Sequence, residues 1–188
     1  MTTIVLLVAL ALVVLWVIGA YNGLIARKNQ VMNAWKQIDV QLKRRHDLIP
    51  NLVNTVKGAM EFERGTLEAV ISARNKAVSA TGVQQTARAE GELTQALGRL
   101  FALTEAYPEL KANQNVLQLQ EELTSTENKV GFARQLYNDV ATQYNTKQAT
   151  FPTLLVAGLA KAQPAELWEI EDPAERGVPR VDLSLPKP

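Results

Sequence analysis

The stretch "QLKRRHDLIPNL" (Gln41–Leu52) gathers three cations, the chain's one histidine and a proline into twelve residues. It can be a ligand site, a nucleic-acid grip, a membrane-surface patch or the corner between two helices, and the choice decides the fold. Asp47 is suited to an N-cap, and Pro50 then falls in the first turn of the next helix, where its missing N–H costs little. Lys43, Arg44 and Arg45 favour the negative dipole end of the preceding helix, each contributing ~0.3–1 kcal/mol. The expectation is a corner, with one helix ending near Arg45 and an antiparallel return from Leu48. Lys43, Arg44, Arg45, His46, Asp47 and Pro50 are also expected to supply a contact between subunits.

The sharper readings of this stretch are weaker. One histidine beside one aspartate is not a metal site, which needs several converging ligands. His46 has no nucleophile at a recognisable spacing. Three consecutive cations are too short a basic face for nucleic acid. As a straight helix, Arg45 lies roughly 27 Å beyond Arg27, too far from a bilayer surface at that level.

Upstream, "IVLLVALALVVLWVI" (Ile4–Ile18) is fifteen apolar residues in a row, and no charged side chain occurs from Thr2 to Ala26. As a helix this segment reaches roughly 37 Å, enough for a ~30 Å hydrocarbon core. Trp16 and Tyr21 fall where an interfacial aromatic belt would sit, and Arg27 and Lys28 at the headgroups. A signal peptide would want a basic n-region, and no Lys or Arg precedes the apolar run. A retained anchor is expected, with the lipid bilayer as its partner. Leu24, Val31 and Ile38 on one row, with Trp35 and Leu42 on the next, carry the helix onward without a breaker.

Downstream, Leu48, Ile49, Leu52, Val53, Val56 and Met60, then Leu67, Val70, Ile71 and Val78, read as one helix that stops near Gly82. A third runs from about Gln84 to Ala106, before Pro108. The most regular segment follows. Val116, Leu123, Val130, Tyr137 and Tyr144 recur every seven residues, and Leu119, Thr126, Ala133 and Val140 fill the intermediate row, the pattern of a bundle seam. Asn113 and Asn115 are suited to capping its start. "TLLVAGLA" reads as a short apolar helix, and the tail from Pro164 carries five prolines. Within it "VPRVDLSL" alternates as an edge strand or extended docking segment would.

These elements predict an all-α protein. An N-terminal transmembrane helix (1–26) continues into an antiparallel bundle of long helices (27–162), followed by a proline-rich extended tail (163–188). The chain of 188 residues has net charge +1 and no cysteine, which excludes disulfides, thiol nucleophiles and iron–sulfur clusters. Charge is uneven: residues 24–60 hold seven cations and two anions, residues 164–188 six anions and three cations. No glycine-rich phosphate loop, nucleophile elbow or clustered carboxylate motif is present, and Glu61, Glu63 and Glu68 in "EFERGTLE" read as a solvated face. No catalysis and no cofactor are expected.

Two long blocks carry a family likeness. "YNGLIARKNQVMNAWKQIDVQLKRRHDLIPNLVNTVKGAMEFERGTLEAVISARNKA" and "YPELKANQNVLQLQEELTSTENKVGFARQLYNDVATQYNTKQATFP" resemble the LemA family of bacterial membrane proteins. The resemblance spans about Tyr21 to Pro152. It implies one N-terminal membrane helix and a body of long antiparallel helices, and it carries no catalytic residue. With the charge flanking the span, it implies a single-pass protein of the bacterial inner membrane, N-terminus outside and body in the cytoplasm; the alternative puts the body in the periplasm.

Two functions follow as expectations. The first is a scaffold that associates with copies of itself, the acidic tail lying along a neighbour's basic first third. The second is an adaptor recruiting an unidentified membrane or peripheral protein through the bundle face or tail. Nucleic acid is not expected as a partner.

Overall fold

The computed structural model describes residues 1–60 and 63–169. Among them every regular element is helical: α1 (Thr2–Val56), α2 (Arg64–Ser79), α3 (Val83–Thr104), α4 (Pro108–Lys111), α5 (Gln114–Ala149) and α6 (Leu154–Ala157). "VPRVDLSL", Glu61 and most of the expected proline-rich tail lie outside the described residues.

The Gln41–Leu52 stretch is not a corner. α1 runs through it for 55 residues with Pro50 inside, and the chain turns only after Val56. Proline removes one intrahelical hydrogen bond, leaving the carbonyl four residues back without its donor. That carbonyl belongs to His46, and Arg74 Nε of α2 donates to it at 3.1 Å. The break is therefore repaired by a side chain. Beyond Pro50, Leu52, Val53 and Val56 are buried, each burial stabilising the continued helix by ~1.5–3 kcal/mol. Packing thus outweighs the ~3 kcal/mol propensity cost of proline.

Gly82 has φ +78°, a left-handed backbone that favours glycine. It closes the tight turn between α2 and α3, and its carbonyl accepts from the Thr86 amide and hydroxyl. Pro108 opens α4. Asn113 caps α5, its side-chain oxygen accepting from the Asn115 and Val116 amides.

α1 pairs mainly with α5, and α2 with α3. Partners along α1 and α5 run in opposite order: Arg27 meets Gln143, while Arg44 meets Glu122. Two apolar clusters result. The distal one joins the end of α1 to α2, α3, α4 and the start of α5, around Ile49, Leu52, Met60, Leu93 and Leu100. The proximal one joins Leu24, Val31, Ile38 and Leu42 of α1 to Val130, Tyr137, Ala141 and Tyr144 of α5, with Ala157, Ala160 and Trp168. In the heptad seam Val116, Leu123, Thr126, Val130, Tyr137 and Tyr144 are buried, whereas Leu119, Ala133 and Val140 are half-buried. The buried stripe drifts to Ala141 and Gln148 because a straight helix does not repeat in seven residues.

Among the described residues nothing packs against the first part of α1. Its side chains from Ile4 to Leu15 are exposed, and the helix is long and apolar enough to cross a membrane.

Candidate functional site

The polar centre of the body lies in the distal half. Arg45 is on the same seven-residue row of α1 as Leu24, Val31, Ile38 and Leu52, so the helix carries its guanidinium inward. It is 3% exposed and faces Glu90, 4% exposed, on α3. Arg45 Nη1 donates to Glu90 Oε2 at 2.8 Å, and Nη2 to Thr94 Oγ1 at 2.8 Å. Nη2 also lies 2.7 Å from Glu127 Oε2 of α5, a close charge contact without hydrogen-bond alignment. The second carboxylate oxygen of Glu90 is 2.6 Å from His46 Nε2. With Glu90 ionised, Nε2 carries the proton and donates.

Three helices are joined by this one cluster. A buried charge must be matched and hydrogen-bonded to be tolerated, and here Glu90 uses both oxygens on α1 while Arg45 reaches α3 and α5. The arrangement fixes register and rotation among the helices. Glu90 and Arg45 are engaged on both sides, Glu127 Oε2 is buried with no hydrogen bond, and among the described residues no three His, Asp or Glu side chains converge as metal ligands would.

This corrects the reading of the six-residue set as a helix corner, since all six lie within α1. Arg45 and His46 are buried against the chain's own α3. Arg44 lies 3.9 Å from Glu122 at the surface. Lys43, Asp47 and Pro50 are exposed on α1, with Asp47 in mid-helix rather than at a cap. Glu90, absent from the expected residues, has the row of Leu97 and Thr104 as its signal.

The proximal half has a different device. Asn138 donates to the Trp168 carbonyl at 3.0 Å and accepts from the Trp168 amide at 2.9 Å. Asn145 does the same with Ala165, both at 2.8 Å. Seven residues of helix span about 10.5 Å, and three extended residues about 10 Å. The two side chains therefore match an extended strand laid along α5. Tyr137 adds a hydrogen bond from its hydroxyl to the Glu166 carbonyl at 2.7 Å. Trp168 is buried against Trp35, whose ring also meets Tyr137 edge-on at 5.4 Å. Burial, with the negative charge of Glu166 second, raises the Tyr137 pKa above its ordinary value.

A third feature is open to solvent. Val40 on α1 and Phe132 and Leu136 on α5 line a shallow groove with Lys36 and Lys129 at its edges. Phe132 is 74% exposed. Of the residues expected at a membrane interface, Trp16 and Tyr21 are exposed on α1; Lys28 is exposed and Arg27 half-buried against α5.

These features define a class: a body of packed helices growing from a helix long and apolar enough to cross a membrane, and held by internal polar contacts. The chain belongs to the LemA family, whose family model matches residues 34–183. It is similar to Protein LemA of Metamycoplasma hominis, with 29% identity over 168 residues, covering 88% of this chain and 74% of that protein.

Proposed function

We propose that the protein is a non-catalytic membrane scaffold. It is anchored through the apolar part of α1 as a single pass in the bacterial inner membrane, with an antiparallel helical body that associates laterally with copies of itself. The positive flank of the anchor favours a cytoplasmic body. One observation carries the reading: Phe132, Val40 and Leu136 form an apolar strip on the flank of the α1–α5 pair. Exposed apolar patches of this kind mark interaction surfaces. The strip runs beside the anchor axis, so copies in one membrane meet it sideways. The unbroken α1 supports this, because no flexible joint separates anchor from body.

The test is native mass in mild detergent, full-length protein beside Phe132→Glu/Leu136→Glu. A discrete oligomer that falls to monomer in the variant, with the helical signal intact, supports the scaffold. A monomeric wild type sinks it and favours the adaptor, in which the same strip receives a different protein.

A further inference from the structure

The segment around α6 has two faces. Thr153, Val156, Ala157 and Ala160 are buried against the body. Phe151, Leu154, Leu155 and Leu159 face outward and are 79%, 54%, 67% and 71% exposed. Four large apolar side chains within nine residues make a patch that a water-facing surface rarely carries.

Its position in the molecule gives it a partner. The Arg27–Gln143 hydrogen bond, 3.2 Å long, sets the register of α5 on α1. From Gln143, α5 runs six more residues, about 9 Å, and ends at Ala149 near the level of Tyr21. α6 packs against both α1 and α5, and Leu24 shares a buried cluster with Ala157 and Ala160. On α1 the partly covered positions Gly23, Ala20 and Val17 continue this stripe towards the N-terminus, the last two past the reach of α5. The segment following α5 is thus placed beside the stretch of α1 that carries no charge. Lys147 and Lys161 flank it and are exposed.

We propose that residues 151–159 form a second membrane contact. Phe151, Leu154, Leu155 and Leu159 enter the acyl chains of the leaflet facing the body, beside α1, and Lys147, Lys161 and Arg27 lie at the lipid phosphates. The inference rests on reading α1 as the anchor, and it turns a one-point tether into a two-point seat. A wedge on one side of α1 fixes the rotation of the helix about its axis and directs the Phe132 strip along the membrane plane.

The chain has no cysteine, so single-cysteine variants can report the depth of each position in the full-length protein. Leu155→Cys and Leu159→Cys, with Val13→Cys in the anchor and Glu109→Cys at the far end of the body, are labelled with a fluorophore. Each is reconstituted in phosphatidylcholine–phosphatidylglycerol nanodiscs, then quenched by acyl-chain nitroxide or by aqueous iodide. The expected result is nitroxide quenching at 155 and 159 several-fold above that at 109, with iodide quenching correspondingly reduced. Quenching at 155 and 159 that matches 109, while 13 is quenched by nitroxide, overturns the wedge and leaves the anchor standing. Shielding of 155 and 159 from both quenchers also overturns it, by showing a protein cover. Failure of nitroxide to quench 13 removes the anchor reading, and the wedge with it.

Discussion

The two halves of the body solve the same packing problem with opposite chemistry. In the distal half, α1, α3 and α5 are joined by charges centred on a buried pair: Arg45 against Glu90 and the part-exposed Glu127, with His46 on the other side of Glu90. In the proximal half, α5 holds the 165–168 segment by uncharged side chains on backbone, Asn138 and Asn145 supplying a donor and an acceptor each. A neutral clamp loses a fraction of its strength when one bond goes. A charged cluster loses more, because the group left behind is a buried charge.

That asymmetry sets the largest expected effect. Glu90→Leu leaves Arg45 buried with only part-exposed Glu127 as counter-charge, at a cost of about 3–5 kcal/mol. Thermal melting of the helical signal measures it, and hydrogen exchange locates it, with α2 and α3 exchanging faster while the Trp35–Tyr137–Trp168 region keeps its protection. Arg45→Met/Glu90→Leu should recover part of the loss, since the uncompensated Arg45 is gone and Glu127 is 44% exposed as a whole, while its buried Oε2 loses its counter-charge. Equal damage in single and double variants would mean that the cluster is held by shape rather than by charge. The halves would then not differ in kind.

Most of the fold was legible because periodicity survives local exceptions. The α5 seam, the α1 stripe, the Asn113 cap and the α2–α3 break near Gly82 all follow from spacing and breaker residues. The Gln41–Leu52 stretch misleads for a stated physical reason. Proline and a cation run are local signals of a helix end, but the seven-residue row from Leu24 passes through Arg45 to Leu52, and the missing donor is supplied by Arg74, 24 residues beyond Pro50 in the chain. No local rule contains that residue. Glu90 escaped in the same way, as an acid on a core row whose partner lies on another helix. The asparagine clamp needed the path of the chain after α5, which sequence spacing does not give.

The repair at Pro50 offers a second, smaller break of the distal half. Arg74→Ala removes the donor to the His46 carbonyl, an expected loss of about 1–3 kcal/mol for an under-satisfied buried acceptor. In a Pro50→Ala background the backbone amide returns, and the same Arg74→Ala change should cost almost nothing. A double-mutant cycle by denaturant unfolding measures this coupling. If the two substitutions add without coupling, the guanidinium is stabilising something other than the carbonyl that proline strands.

The smallest effect is expected in the proximal half, where it also has a direction in pH. Tyr137→Phe deletes one hydrogen bond to the Glu166 carbonyl, worth about 0.5–1.5 kcal/mol, and Glu166 is exposed enough for water to replace the donor. Burial, then Glu166, raises the folded-state pKa of Tyr137 above the ordinary 10.0. An acid with a raised folded pKa holds its proton longer in the fold than in the unfolded chain. Its contribution is therefore complete below pH ~10 and is lost as pH rises through the folded value. Tyr107 and Tyr144 are raised as well, burial leading in both, so Tyr137→Phe should flatten the alkaline decline in stability without abolishing it. Denaturant midpoints followed from pH 8 towards pH 11 test this in wild type, Tyr137→Phe and Glu90→Leu. Glu90→Leu should start lower and fall in parallel with the wild type, since its missing group is not the one titrating. A decline unchanged by Tyr137→Phe would mean that the Trp168 segment leaves α5 before the tyrosine ionises, and that the neutral clamp opens independently of the rest of the body.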